Sequence, residues 1–219
     1  MDEFDFDRQR ARMVADQLKA RGIYDTAVLR AMRRVPREHF VLPPYLEHAY
    51  RDGPIPIPAK QTISQPYVVA YMLGELALMP TDRVLEIGTG SGYAAAILSH
   101  IVSEVYTVER HKKLVTYARE RLGDLGCMNV HVLHGDGSLG WPEHAPYDAI
   151  IVAAGGPHVP STLTAQLAED GRLIMPVGKQ RSQRLVLIRR EGPEAFIKQT
   201  LVSVRFVPLI GEEAWQEEE

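Results

Sequence analysis

The run Glu86-Ile87-Gly88-Thr89-Gly90-Ser91-Gly92-Tyr93 decides the fold. A short apolar segment at residues 84–87 leads into it, and a helix-like segment at residues 93–101 follows it. Glycine permits tight turns and lets a ligand approach the backbone with no Cβ in the way. A strand, a glycine-rich turn and a helix in this order are typical of nucleotide-binding sheets. For the loop alone, a turn with a purely structural role is the alternative interpretation.

The spacing of the glycines separates two kinds of nucleotide site. The dinucleotide fingerprint places its third glycine three residues after the second, against a pyrophosphate at the helix N-terminus. In this chain that position is Tyr93, and the third glycine, Gly92, comes one residue early. The spacing therefore favours S-adenosyl-L-methionine, which has no pyrophosphate, over a nicotinamide dinucleotide.

Two acidic residues follow the next two strand-like runs. Glu109 comes about 20 residues after the loop, at the place where a carboxylate can accept hydrogen bonds from both ribose hydroxyls. Asp136, between Gly135 and Gly137, follows the third run and is suited to the adenine or its amino group. Each acid alone is more often a solvated loop carboxylate. Because all three features end successive predicted strands, we expect them to form one cofactor site.

Strand-like and helix-like segments alternate from residue 84 onward. Apolar and β-branched runs predict seven strands, at residues 84–87, 105–108, 130–133, 149–152, 173–175, 185–188 and 196–204. Helices are predicted at residues 93–101, 111–122 and 161–168. The alternation predicts an α/β, Rossmann-like fold with a mostly parallel sheet. Only Gly192-Pro193 separates the last two runs, so an antiparallel hairpin is expected to end the sheet.

Composition limits the partners and the compartment. The 25 Lys and Arg against 28 Asp and Glu give a net charge of -3, which argues against a nucleic-acid partner. No run approaches the roughly 20 apolar residues of a membrane span, and no signal peptide is evident. Cys127 is the single cysteine, and the eight histidines include no HExxH motif. We therefore expect a cytoplasmic monomer without an internal disulfide, a metal site or a membrane contact.

The segment Gln61-Thr62-Ile63-Ser64-Gln65-Pro66 resembles an element of the protein-L-isoaspartate O-methyltransferase family. Residues 84–93, 134–137, 146–152 and 205–209 match that family too, in its order. The resemblance covers residues 13 to 209. It implies methyl transfer from S-adenosyl-L-methionine to the free α-carboxylate of L-isoaspartyl residues in damaged proteins and peptides, which initiates their repair. The product of the cofactor would be S-adenosyl-L-homocysteine.

The resemblance also implies roles for particular residues, with Ser64 as the active-site residue. Together with the glycine loop, it predicts a cofactor site made of Thr62, Ile63, Gly88, Gly90, Ser91, Gly92, Glu109, Gly135 and Asp136. The alternative for Ser64 is an N-cap of the helix expected near Pro66, because serine caps helices and proline starts them. The chain departs from the family pattern at residues 57–60, where a glycine-bearing loop is common, and at residues 153–158.

The implied reaction needs no general base, because an α-carboxyl group with a pKa of roughly 3.5 is already ionised at neutral pH. Alignment of two bound reactants and removal of water remain as the tasks of the protein. We expect the Ser64 hydroxyl to position the carboxylate. Three rival functions stay open: methylation of a small molecule or RNA, nicotinamide-dependent oxidoreduction, and cofactor binding without catalysis.

The chain is expected to have three parts. Apolar residues at helical spacing and the proline-rich run at residues 53–59 predict that residues 1–60 form a helical lobe with a stiff connector. Residues 61–209 are expected to form the methyltransferase domain. Residues 210–219 form an acidic tail, which we expect to be solvated and mobile.

Overall fold

The structure is a computed structural model that describes residues 5–217, and residues 1–4 and 218–219 lie outside it. The chain forms two short strands and then a sheet of seven strands. In chain order the strands are β1 (Ile55–Pro56), β2 (Thr62–Ile63), β3 (Arg83–Ile87), β4 (Glu104–Glu109), β5 (Val130–His134), β6 (Tyr147–Val152), β7 (Leu167–Lys179), β8 (Ser182–Arg190) and β9 (Phe196–Val204). The order across the large sheet is β5-β4-β3-β6-β7-β8-β9.

Strand directions in this sheet confirm the predicted Rossmann-like α/β fold. Neighbouring strands from β5 to β7 are parallel, whereas β8 is antiparallel to both β7 and β9. The predicted hairpin is therefore formed by β8 and β9. Strand β3, which precedes the glycine loop, lies between β4 and β6, where the order of the strands reverses. Open α/β sheets bind ligands beyond the carboxyl ends of the strands at such a point.

The α-helices lie before and between these strands. They are α1 (Phe6–Arg12), α2 (Thr26–Arg34), α3 (Pro66–Glu75), α4 (Tyr93–Ser99), α5 (Lys112–Asp124) and α6 (Ser161–Ala165). The predicted helix at residues 161–168 is shorter in the structure, because Leu167 pairs with Tyr147 and already belongs to β7.

The central strands of the large sheet are buried on both faces, whereas β9 at its edge is mostly exposed. Val84 and Val105 belong to one hydrophobic cluster, while the next residues along the same strands, Leu85 and Tyr106, belong to a second cluster. Successive side chains of a strand point to opposite faces, so each cluster covers one face of the sheet. Burial on both faces explains why these strands are continuous apolar runs.

Residues 5–60 pack on one of these faces. The Asp25 side chain accepts a hydrogen bond from the Val28 backbone N–H at 2.9 Å and caps α2 at its start. Buried side chains of this region, such as Met32 and Phe40, share a cluster with Leu73 of α3. The division of the chain at residue 60 stays a prediction.

Glu86 is a carboxyl group inside the sheet. It lies on β3 with 1% of its surface exposed, and the Thr107 hydroxyl donates a hydrogen bond to its Oε2 at 2.5 Å. Burial raises the pKa of Glu86 from 4.5 to about 8, although the Thr107 hydrogen bond lowers it and the nearby Glu109 charge raises it further. At neutral pH we therefore expect Glu86 to be mostly protonated in the folded protein.

Glu86 should make the stability of the protein depend on pH. Between pH 4.5 and about 8 the folded state keeps a proton that the unfolded chain releases, so stability falls as the pH rises. Glu86→Gln imitates the neutral acid and should remove this loss. The unfolding free energy of the variant minus that of the unmodified protein should therefore increase as the pH rises, by at most about 1.4 kcal/mol per pH unit. Denaturant titrations across this range measure it.

The control for that experiment is Glu169→Gln, because Glu169 is exposed in β7. It should not change the shape of the pH profile. A constant difference between Glu86→Gln and the unmodified protein at all pH values would show that Glu86 is ionised in the folded state.

Candidate active site

A cavity of about 430 Å³ lies beyond the carboxyl ends of β3, β4 and β6. Its volume is within the roughly 300–1,000 Å³ that is usual for small-molecule sites. Seven of the residues predicted from the sequence line it: Thr62, Ile63, Ser64, Gly88, Gly90, Ser91 and Glu109. Three others, Gly92, Gly135 and Asp136, lie outside the lining.

The glycine loop has a backbone that other residues rarely adopt. Gly88, Gly90 and Gly92 have φ angles of 90°, 56° and 91°, all in the left-handed region. A Cβ on Gly92 would lie 3.3 Å from Ala118 and from Leu122, so this glycine permits close packing against α5. Gly88 and Gly90 border the cavity and leave their backbone open to a ligand.

Glu109 connects the glycine loop to the helix that follows β4. Its Oε2 accepts a hydrogen bond from the Gly90 backbone N–H at 2.9 Å, and its Oε1 accepts one from His111 at 2.9 Å. The side chain is 5% exposed and lines the cavity. Each carboxylate oxygen can accept about two hydrogen bonds, so Glu109 retains capacity for a pair of hydroxyl groups.

Asp136 has protein partners on both carboxylate oxygens. Its Oδ1 accepts from the backbone N–H and the hydroxyl of Ser138, each at 2.8 Å, and its Oδ2 accepts from the Glu212 backbone N–H at 2.8 Å. The neighbouring Gly137 lines the cavity instead, and a Cβ there would collide with Cγ2 of Ile87. The role of Asp136 at the adenine stays a prediction.

The described part of the tail, residues 210–217, packs against the protein, contrary to the expectation of a solvated and mobile segment, and residues 218–219 lie outside the described range. Trp215 donates from Nε1 to the Gly155 carbonyl at 3.1 Å, and Glu217 forms an ion pair with Arg110 at 3.0 Å. Ile210, Gln216 and Glu217 line the cavity. A tryptophan within an acidic stretch is the sequence signal that could have predicted this docking, because tryptophan is seldom fully solvated.

Ser64 lies at the cavity wall between β2 and α3. It is half-buried, and its hydroxyl has no hydrogen-bond partner among residues 5–217. The N-cap of α3 is Gln65, without a side-chain capping bond, and Pro66 begins the helix. The structure therefore gives the capping position to the neighbour of Ser64 and leaves the serine hydroxyl available at the cavity.

The departure from the family pattern at residues 57–60 has a visible backbone consequence. Ala59 and Lys60 have φ angles of 58° and 57°, in the left-handed region, and both line the cavity. Glycine adopts this conformation without a Cβ clash. In this chain the left-handed turn is made by residues that carry a Cβ. At the second departure, Ala153 and Ala154 line the cavity.

The described residues offer few other kinds of site. Within residues 5–217, no three His, Cys, Asp or Glu side chains gather in a group that could hold a metal ion. None of the helices in that range is both long enough and apolar enough to cross a membrane. The cavity with Ser64, the glycine loop and Glu109 is therefore the candidate active site.

Comparison with known proteins shows which family the chain resembles. Protein-L-isoaspartate O-methyltransferase 2 of Pelobacter propionicus is 57% identical over 208 residues, which are 94% of this chain and 92% of the relative. A solved structure described as a protein-L-isoaspartate O-methyltransferase has a TM-score of 0.83 and 32% identity to this chain. The match covers 94% of this chain and 67% of the chain in that structure.

A second solved structure contains the product of the cofactor. It is described as a protein-L-isoaspartate O-methyltransferase from Plasmodium falciparum in complex with S-adenosyl-L-homocysteine. Its TM-score is 0.80 at 29% identity, over 92% of this chain and 98% of the other. The family model "Protein-L-isoaspartate(D-aspartate) O-methyltransferase (PCMT)" matches residues 8–214. The chain therefore belongs to the protein-L-isoaspartate(D-aspartate) O-methyltransferase family.

Proposed function

We propose that this protein methylates the free α-carboxylate of L-isoaspartyl residues in damaged proteins and peptides, with S-adenosyl-L-methionine as the methyl donor. The observation that carries the proposal is a single cavity lined by Ser64, the glycine loop and Glu109. Tyr93 stands at the position where a dinucleotide-binding loop has its pyrophosphate-binding glycine, and its side chain is 2% exposed and part of the core. Methyl transfer is thus favoured over hydride transfer.

The residues of the cavity fit the cofactor. Glu109 would accept hydrogen bonds from the ribose hydroxyls, because it is fixed by two backbone N–H groups and has spare acceptor capacity. Gly88 and Gly90 have no Cβ, so the ligand would be able to lie close to their backbone atoms. Thr62 and Ile63 would border it from β2. When bound, S-adenosyl-L-methionine supplies an electrophilic methyl group on a sulfonium.

Ser64 would act on the other reactant. Its hydroxyl can donate a hydrogen bond to the substrate carboxylate and hold one oxygen in line with the methyl group. The carboxylate is ionised before it binds, so Ser64 is not required to remove a proton. Ile63, Val69 and Met72 line the same cavity and exclude water, which weakens the solvation of the opposite charges that are lost in the reaction.

Several features of the proposal remain predictions. The expected partners are isoaspartyl-containing proteins and peptides, without nucleic acid or membrane. A cytoplasmic location and a monomeric state are part of the same proposal. The separation of a lobe at residues 1–60 from a methyltransferase domain at residues 61–209 and a tail at residues 210–219 is also proposed.

A pair of peptides tests the substrate. One contains isoaspartate and its twin contains normal aspartate at the same position. With labelled S-adenosyl-L-methionine, the isoaspartyl peptide should gain a base-labile methyl ester and the aspartyl twin should gain none. Equal labelling of both peptides, or of neither, would overturn the proposed substrate.

The role of Glu109 is tested by cofactor affinity. Glu109→Ala should weaken the binding of S-adenosyl-L-methionine by about 1.5–3 kcal/mol, the scale of a charge-assisted hydrogen bond. Titration calorimetry measures the change, and Glu120→Ala on the exposed side of α5 is the control. Unchanged affinity in a folded Glu109→Ala protein would mean that Glu109 only supports the loop.

The role of Ser64 is tested by kinetics and stability in one preparation. Ser64→Ala should lower kcat by roughly 5- to 150-fold, the effect of one hydrogen bond made in the transition state. The melting temperature should change little, because the N-cap position of α3 is Gln65 and the change at Ser64 removes no helix cap. The cofactor affinity should also change little, because the hydroxyl acts on the other reactant. A lower melting temperature together with normal turnover would assign Ser64 to the structure of the segment.

A further inference from the structure

Arg37 is a charged side chain in the interior of the protein. It lies in a short 3₁₀ turn, Arg37–Phe40, and none of its surface is exposed. Its Nε donates to the Ala49 carbonyl at 2.8 Å, and its Nη2 donates to the Ser64 carbonyl at 2.7 Å. A buried charge is costly unless it is fully paired, so this position needs a reason beyond packing.

The partners of the guanidinium are unusual for a buried arginine. Both acceptors found within residues 5–217 are backbone carbonyls, and Nη1 has no acceptor there. Its Cζ lies 4.8 Å from the centroid of the Tyr93 ring, and the buried Tyr93 hydroxyl has no other hydrogen-bond partner among residues 5–217. Burial lowers the pKa of Arg37, while the charge of Tyr93, a hydrogen bond with the Tyr93 side chain and the charges of Tyr50 and Asp52 raise it. The planar fork of arginine can reach two carbonyls at once, which lysine cannot do.

These contacts join three parts of the site. The Ala49 carbonyl belongs to the N-terminal region, the Ser64 carbonyl belongs to the segment after β2, and Tyr93 begins α4 directly after the glycine loop. Ser64 and Tyr93 both line the cavity. A single rigid side chain therefore sets the distance between the backbone of Ser64 and the start of α4.

We propose that Arg37 is a positioning residue, which fixes the Ser64 backbone so that the serine hydroxyl meets the carboxylate of the substrate. This inference rests on the proposed role of Ser64. Arg37 does not touch the reactants, since it lies behind the cavity wall, and it acts through the carbonyl of Ser64. A small shift of that carbonyl would move the hydroxyl out of line, and alignment is a large part of such catalysis.

A double-mutant cycle separates positioning from general support of the fold. Arg37→Lys keeps the charge but cannot span both carbonyls, so kcat should fall roughly 5- to 30-fold, the scale of one hydrogen bond. In a Ser64→Ala background the same change should have little further effect, because the hydroxyl that Arg37 positions is gone. The affinity for S-adenosyl-L-homocysteine, measured by calorimetry, should stay close to that of the unmodified protein.

Two control variants separate the contribution of Arg37 to stability from its contribution to turnover. Tyr50→Phe removes the hydroxyl that accepts from the Arg37 backbone N–H at 3.2 Å but leaves the Ser64 contact, so it should lower stability without lowering kcat. Arg33→Lys changes an exposed arginine of α2 and should alter neither quantity.

The cycle distinguishes two failures. Normal turnover of Ser64→Ala alone would overturn the proposed role of Ser64, and the inference with it. An equal loss from Arg37→Lys with and without the Ser64 hydroxyl, or no loss in either background, would overturn the positioning role alone.

Hydrogen exchange tests the same link in the unmodified protein, in case Arg37→Lys does not fold. With S-adenosyl-L-homocysteine bound and denaturant added in steps, the amide of Ile63, which pairs with Ile55 in the two-stranded sheet, should exchange in the same opening as that of Arg37. Exchange of Ile63 at a much lower free energy than Arg37 would show that the guanidinium does not hold the segment, and would contradict the proposal.

Discussion

Two backbone N–H groups, from Gly90 and His111, converge on the carboxylate of Glu109. This interaction fixes the glycine loop after β3 relative to the start of α5 after β4. The backbone N–H groups of Gly88 and Thr89 donate to the Val108 carbonyl of β4, and Glu109 adds the bond that holds Gly90. The cavity wall at Gly90 and the start of α5 therefore depend on that one buried acid.

Much of the fold follows from local patterns. Apolar runs of β-branched residues predict the seven strands, since a sheet covered on both faces needs continuous apolar segments. The prediction is least accurate at β7, which is predicted at residues 173–175 but spans Leu167–Lys179 and so shortens the helix predicted at residues 161–168. There Leu167 pairs with Tyr147 of β6, and this contact between distant parts of the chain decides where α6 ends. Such pairing is not visible in a window of neighbouring residues.

A site residue can be predicted from the sequence when its role follows from its position in a local pattern. Glu109 was found because a carboxylate at the end of β4 has a simple geometric relation to the glycine loop. The sequence does not predict the role of Arg37, because its guanidinium binds the backbone carbonyls of Ala49 and Ser64, and any residue type has a carbonyl. For the tail, Trp215 is a sequence signal of docking, but its partner, the Gly155 carbonyl, is again a backbone atom far away in the sequence.

The way the tail is attached has a consequence for natural variation. Backbone amides of Glu212 and Glu213 bond to Asp136 and to the Ser138 hydroxyl, so these bonds do not depend on the identity of the two tail side chains. Gly211 is different, because a Cβ there would collide with the Asp136 carboxylate. Over evolutionary time Glu212 can change to other residue types while the tail stays docked. Glu213 is more constrained, because its carboxylate accepts hydrogen bonds from the Ser161 hydroxyl and the Thr162 backbone N–H, and Gly211 is constrained to remain glycine.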